Sequence, residues 1–301
     1  MGSYDVLNDD IQTKENKTQM KQRLSKEEYA KKMKETRKAL FSRVNEQTLI
    51  AVSDEKNYLN YLTLQATLGY TVPNTMLVMA QQPEATKVKD FMHWKEDGVS
   101  LKKGAKGIQI LEPSGEFKRR DGSVGTNYNP KYVFDISQTT DEIISSMAQY
   151  ETTDLVKAVT YKTDIVPEVV SKNSTLPRDV YFDPSQKKIY VKEKLLPEVL
   201  LKGLIREYCL AETGDRSDSA VSFNVDSATY MIMKKYGVDV ADVSFAKHCR
   251  DYFKGKEDYT VKKELSYIKS LFDKVSERMD NGLYVREQEK EKRHKTNREA
   301  R

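Results

Sequence analysis

Glu207 is the side chain most suited to chemistry in this 301-residue chain, and its neighbours decide what it does. It lies in "LLKGLIREYCLAETGD", residues 200–215, where apolar residues recur at helical spacing. A glutamate between two histidines four residues apart is a zinc-hydrolase arrangement. The histidines stack on one helical face, and the carboxylate polarises the metal-bound water. Here Arg206 and Leu210 hold the two histidine positions. A guanidinium stays protonated and offers no lone pair, and leucine has no ligand atom. The three histidines, His93, His248 and His294, do not stand at ligand spacing from one another. Zinc hydrolysis is therefore not expected. Two other roles stay open for Glu207: pairing with a nearby Lys or Arg or facing solvent, or joining Asp226 and Asp215 or Asp218 around a different ion. Cys209 with His248 would make a thiol nucleophile. Cys209, however, sits among Leu204, Ile205 and Leu210, where a buried inert thiol is expected.

A second group of residues suits binding. Lys102, Lys103 and Lys106 alternate with Gly104 and Gly107, so a backbone can approach a ligand while ammonium groups meet phosphates. Lys118, Arg119 and Arg120 fall at an expected turn, Lys131 adds a further cation, and Tyr128 and Tyr132 offer flat faces. Stacking of a base on such a face is worth roughly 1–3 kcal/mol. Cations mixed with aromatics suit an unstructured strand better than groove readout, which needs a reading helix. The plainer alternative is a set of solvated turns. Trp94 is expected to anchor a core.

The elements around these residues follow from periodicity and punctuation. Ser25 and Glu28 form a capping box before a helical pattern through Tyr29, Met33, Leu40, Phe41 and Val44. A second helix starts at Ser53-Asp54, and a short apolar one runs from Pro73-Asn74 to Pro83. After residue 86 glycines punctuate alternating segments. Ile108 with Ile110, and Tyr132 with Phe134 and Ile136, alternate along the chain and predict strands joined by glycine turns. The second half predicts a helix at Asp154–Tyr161, a hairpin "DVYFDPSQKKIYVK", the Glu207 helix, a helix from about Asn224 to Tyr236, and a last helix over roughly 259–280.

Composition sets the bounds. The chain is 32% charged and 38% hydrophobic, with mean hydropathy −0.72 and net charge +5. This permits nucleic-acid contact without requiring it. Two cysteines cannot build a disulfide framework, the opening residues carry no signal-peptide pattern, and no apolar run approaches membrane-spanning length. A soluble cytoplasmic protein with no membrane contact is expected.

The stretch 74–139 also carries a family resemblance. Its features are the short helix ending Ala80-Gln81, Trp94, Lys102-Lys103-Gly104 with Lys106-Gly107, and "VFDISQT" at 133–139. Together they resemble the N-terminal single-stranded-DNA-binding domain of ArdC-type antirestriction proteins, nearest the LtrC-like relatives on conjugative elements. The hairpin and Glu207 helix, followed by "SFNVDSATYMIMKKYGVDVADVSF", resemble IrrE/ImmA-like zincin peptidase domains, in the domain order of that family. The resemblance implies an α+β, two-domain protein. Residues 1–24 would be a disordered tail, 25–148 a helical and β-sheet DNA-binding domain, 149–282 a zincin-like domain with a small sheet and core helices, and 283–301 a basic tail. It places metal ligands at Arg206, Leu210 and Asn224, none of which fits, so a degenerate peptidase domain without cofactor is expected. Single-stranded DNA is the implied partner, with a protein of the host or transfer machinery as a second. The function expected is that of an accessory or antirestriction-like protein of a conjugative element, plasmid or phage. The alternatives are an inhibitor of a host defence enzyme and a divergent active metallopeptidase.

Overall fold

The computed structural model describes residues 25–140, 150–214, 220–240 and 242–299, the last helix with side chains to residue 292. The tail expected at 1–24, and Asp215 and Asp218, lie outside the described residues. The fold is α+β. In chain order come α1 (Lys26–Ala51), α2 (Glu55–Leu68), α3 (Val72–Gln81), β1 (Val88–Lys89), α4 (Phe91–Glu96), β2 (Ile108–Lys118) and β3 (Val124–Asp135). The second half contains α5 (Thr152–Val159), β4 (Glu168–Val170), β5 (Val180–Asp183), β6 (Lys188–Lys192), α6 (Pro197–Ala211), α7 (Ala220–Lys235), α8 (Cys249–Phe253) and α9 (Asp258–Glu299).

Helix starts obey their sequence signals. Ser25 and Glu28 exchange backbone and side-chain bonds at 2.8 and 3.1 Å, the reciprocal box the sequence predicts. Asp54 caps α2 by accepting from Asn57 N at 2.9 Å, and Asp90 caps α4 by accepting from His93 N at 2.9 Å.

The chain parts into two compact units, Met1–Ala39 with Glu112–Pro130, and Leu40–Leu111 with Lys131–Arg301. In the smaller unit the hairpin turns at Arg119–Ser123. Arg119 N donates to Ser123 O at 2.7 Å, and Gly122 takes a left-handed φ of +82°. The Phe117 ring lies across Gly125, where an added Cβ would fall 2.6 Å from it.

In the larger unit, α7 is buried nearly all round because α2, α6 and α9 surround it. Tyr58 on α2 bonds Ser227 on α7 at 2.8 Å, and Thr63 bonds Tyr230 at 3.0 Å. A boundary near residue 148 would divide α2 from α7, which this buried contact joins. Each fully buried side chain such as Leu62, Leu201 or Ile205 contributes roughly 1.5–3 kcal/mol of transfer free energy.

Two three-stranded sheets occur among the described residues, ordered β1-β3-β2 and β4-β6-β5. In the second, β5 is antiparallel and β4 parallel to β6; β4 itself has no clear sequence signal. In the first, β2 is an edge strand, yet its outward backbone groups are not bare. Asn74 exchanges two bonds with Leu111 N and O at 2.9 and 3.0 Å, and Gln81 does the same with Gln109 at 3.0 and 2.9 Å. Two side-chain amides, two helical turns apart on α3, stand in for a neighbouring strand.

Two expectations need correction. The strand expected through Ile136 ends at Asp135, and its inward residues are Val133 and Asp135, with Tyr132 exposed. A one-residue shift of a period-two pattern reverses its faces, and the apolar run here is legible in both registers. The last helix does not end near 280 but continues to Glu299, through the segment read as a tail. Arg286 Nε reaches Asp154 Oδ1 at 2.9 Å, and Lys290 pairs with the same carboxylate, so α5 holds this stretch against the larger unit.

Candidate functional site

The first candidate is Glu207. Gly203, one turn earlier on α6, has no side chain, and an added Cβ would fall 2.5 Å from Val180 on β5. That close approach brings the next turn beneath the strand, where Glu207 Oε2 accepts the Phe182 N–H at 2.9 Å. Glu207 is 1% exposed. Its other oxygen, Oε1, accepts from Arg206 Nη1 at 2.8 Å and lies 3.6 Å from Arg178 Nη1. Arg206 continues outward: Nε donates to Asp226 Oδ1 at 2.8 Å and Nη2 to Ser222 Oγ at 3.3 Å. The guanidinium therefore lies between the two carboxylates that might have shared an ion. The cation held by Glu207 and Asp226 is the arginine of the chain itself.

The other two positions expected to be degenerate do not join this network. Leu210, one turn on, brings no donor atom. Asn224 is buried, with Oδ1 3.0 Å from Tyr252 Oη, which is also 2.9 Å from Glu264 Oε2. A single hydroxyl proton cannot serve both oxygens, so the two contacts are consistent with an Asn224 amide turned to donate. Among the described residues no group of three His, Cys, Asp or Glu could hold a metal ion. Among the described residues it is the Arg206 guanidinium that bridges Glu207 and Asp226. Cys209 is fully buried, and burial pushes its thiol up to about 12; the buried Cys249 rises to about 11 for the same reason. Neither is a poised nucleophile.

The second candidate is the Lys102–Lys106 turn. Ala105 N donates to Lys102 O at 3.1 Å and Gly104 has φ +84°, the geometry of a type II turn with glycine at its third position. The "DISQT" segment clamps this turn. Lys102 N donates to Gln138 O at 2.8 Å, Gln138 Nε2 to Lys106 O at 2.7 Å, and Lys102 Nζ to Ser137 O at 2.9 Å. Gln138 is fixed in turn by Asp135, whose backbone N–H it accepts at 3.0 Å. Asp135 is buried and receives the N–H groups of Thr86, Lys87 and Ser137.

Beside the turn lies a concavity of about 750 Å³ lined by Lys102, Lys103, Lys106, Arg43, Gln82 and neighbouring small residues. Among the described residues no carboxylate lines it. Gly107 forms part of the wall, and the half-exposed Tyr132 ring packs on it so closely that a Cβ would fall 2.7 Å from Cδ1. Gln109 Nε2 donates to the Tyr132 hydroxyl at 2.9 Å.

The remaining residues expected to bind are dispersed. Lys131 is paired with Asp90 at 2.8 Å. Burial opposes the charge of Asp90, but the bonds from Lys131 and from the His93 backbone outweigh it and hold the carboxyl below its usual range. Lys118, Arg119 and Arg120 are exposed in the smaller unit, with Arg119 donating to Val124 O at 2.9 Å. Tyr128 is half-buried in that unit. Trp94 is fully buried and donates to Phe134 O at 2.8 Å, as a core anchor does. Sequence reasoning missed Arg43 and Arg178, which come from distant segments without a motif.

No family model and no curated protein matches the chain. Among solved structures it is similar to the antirestriction protein ArdC from plasmid R388. The metal-free form has a TM-score of 0.45 and 17% identity, covering 70% of this chain and 86% of that one. The Mn(II)-bound form has a TM-score of 0.45 and 15% identity at the same coverage. A likeness this distant leaves the reading of both sites to their own geometry.

Proposed function

We propose that this protein is a non-catalytic, single-stranded-DNA-binding accessory of a conjugative element, plasmid or phage, of antirestriction type. A degenerate zincin-like region serves as its scaffold. The observation that carries the reading is the concavity beside the Lys102–Lys106 turn, basic, free of carboxylates and held by the Asp135–Gln138 clamp. Phosphates supply the matching charge, and the exposed Tyr132 ring beside it supplies a stacking face. The family resemblance of residues 74–139 points the same way. Arg206, set between Glu207 and Asp226, supports the non-catalytic part. An electrophoretic shift with labelled single-stranded DNA across a salt series tests the proposal. Affinity that falls linearly in log–log form with salt is expected, and no binding at low salt refutes it.

A second reading, an inhibitor that grips a host enzyme, is favoured by one feature. Beside Arg178, Lys202 and Arg206 lies a hollow that shares Asp226, Ser244 and Phe245 with another lined by Phe223 and Tyr252. A partner retained after nuclease treatment, and released by substitutions at Phe245, would favour that reading.

A further inference from the structure

We propose that the concavity beside the Lys102–Lys106 turn is a phosphomonoester site that takes the terminal phosphate of a nucleic-acid strand, an inference that rests on the nucleic-acid reading above. Its lining is unusual in charge. Arg43, Lys103 and Lys106 make no ion pair or side-chain hydrogen bond among the described residues, and no carboxylate lines the space. Three uncompensated cations exceed what one internal phosphodiester, with a single negative charge, would neutralise. A terminal phosphate brings about −1.5 to −2 at pH 7 and three strong acceptor oxygens.

The backbone points to the same ligand. The turn through Gly104 leaves the N–H groups of Lys103, Gly104 and Lys106 without an acceptor among the described residues. Amides left free in a glycine turn form an anion-binding concavity. These donors are held in place, because Gln138 grips Lys106 O and Lys102 Nζ is spent on Ser137 O. The Gln82 amide adds a neutral lining group. At about 750 Å³ the space exceeds a bare phosphate and admits the nucleoside attached to it.

A phosphomonoester also occurs on free nucleotides, so the test separates the two sources. The full chain is titrated with an internally labelled thymidine strand carrying a 5′-phosphate, a 3′-phosphate or hydroxyls at both ends, and with thymidine monophosphate alone, followed by anisotropy and calorimetry. The expected result is roughly tenfold tighter binding of one phosphorylated strand than of the hydroxyl strand. That gain should be lost in Lys103→Gln/Lys106→Gln and reduced in Arg43→Gln, all exposed positions. Equal affinity for all three strands overturns the terminal-phosphate assignment while leaving strand binding intact. Binding of none of the strands overturns both readings. Capture of the monophosphate alone overturns the strand as the source.

Discussion

Arg206 and Glu207 are neighbours in sequence and partners in space. Nη1 of the guanidinium donates to Oε1 at 2.8 Å, while Oε2 accepts the Phe182 N–H at 2.9 Å. Removing the carboxylate leaves the buried Phe182 N–H without its acceptor, while Arg206 keeps Asp226. Glu207→Ala should therefore destabilise the protein by about 1–3 kcal/mol, read as a lower urea midpoint at unchanged slope. Added zinc should leave the melting temperature of the wild type unmoved.

Gly203 sets up that pair. Gly203→Ala places a methyl group 2.5 Å from Val180, so α6 must withdraw from β5 and the Phe182–Glu207 bond must lengthen. A loss of about 1–3 kcal/mol is expected, with faster amide exchange at Phe182 as the specific signature.

Gln138 is a positioning residue for the lysine turn. Gln138→Ala removes the bond to Lys106 O and the reciprocal cap on Asp135. Strand affinity should fall several-fold while the basic charge is untouched, so the salt slope of binding should stay the same. Lys103→Gln should instead lower that slope by about one unit.

The clamp on Asp154 gives a pH dependence. Hydrogen bonding from Lys290, and then from Arg286, holds the Asp154 carboxyl below its ordinary value against the opposing effect of burial. A depressed folded pKa means the contribution is complete above the ordinary carboxylate range and is lost as pH falls through the folded value. Exchange of the amides around Arg286 should rise on acidification, and Asp154→Asn should reproduce that state at neutral pH.

The two thiols should be silent. Cys209 and Cys249 are buried with raised pKa values, so an aromatic disulfide reagent at pH 8 should label neither until the protein is unfolded.

Local signals made much of the molecule legible. The Ser25–Glu28 box, the Asp54 cap, Pro73 and the Asp183 turn act within four residues, and the structure follows each. Non-local relations were not legible. Arg178 meets Glu207 across twenty-nine positions of sequence, and Arg43 reaches the lysine concavity from a helix whose periodicity says only that it is amphipathic. The continuation of α9 depends on Asp154, 132 residues before Arg286, so a charged stretch reads as solvated until its partner is known. The face of β3 is not legible because Tyr132-Val133-Phe134 is apolar in either register. Only the carboxylate of Asp135, collecting three backbone N–H groups, fixes which side turns inward.

The amides of Asn74 and Gln81 bear on how the molecule behaves in a crowd. An uncovered strand margin invites a foreign chain to zip alongside, the first step towards fibrils or swapped dimers. Here an intruder would have to prise α3 away from Gln109 and Leu111 before it could dock. The same four bonds that seat a helix thus act as a guard against self-association, and exchanging both amides for alanine should make the protein more prone to precipitate.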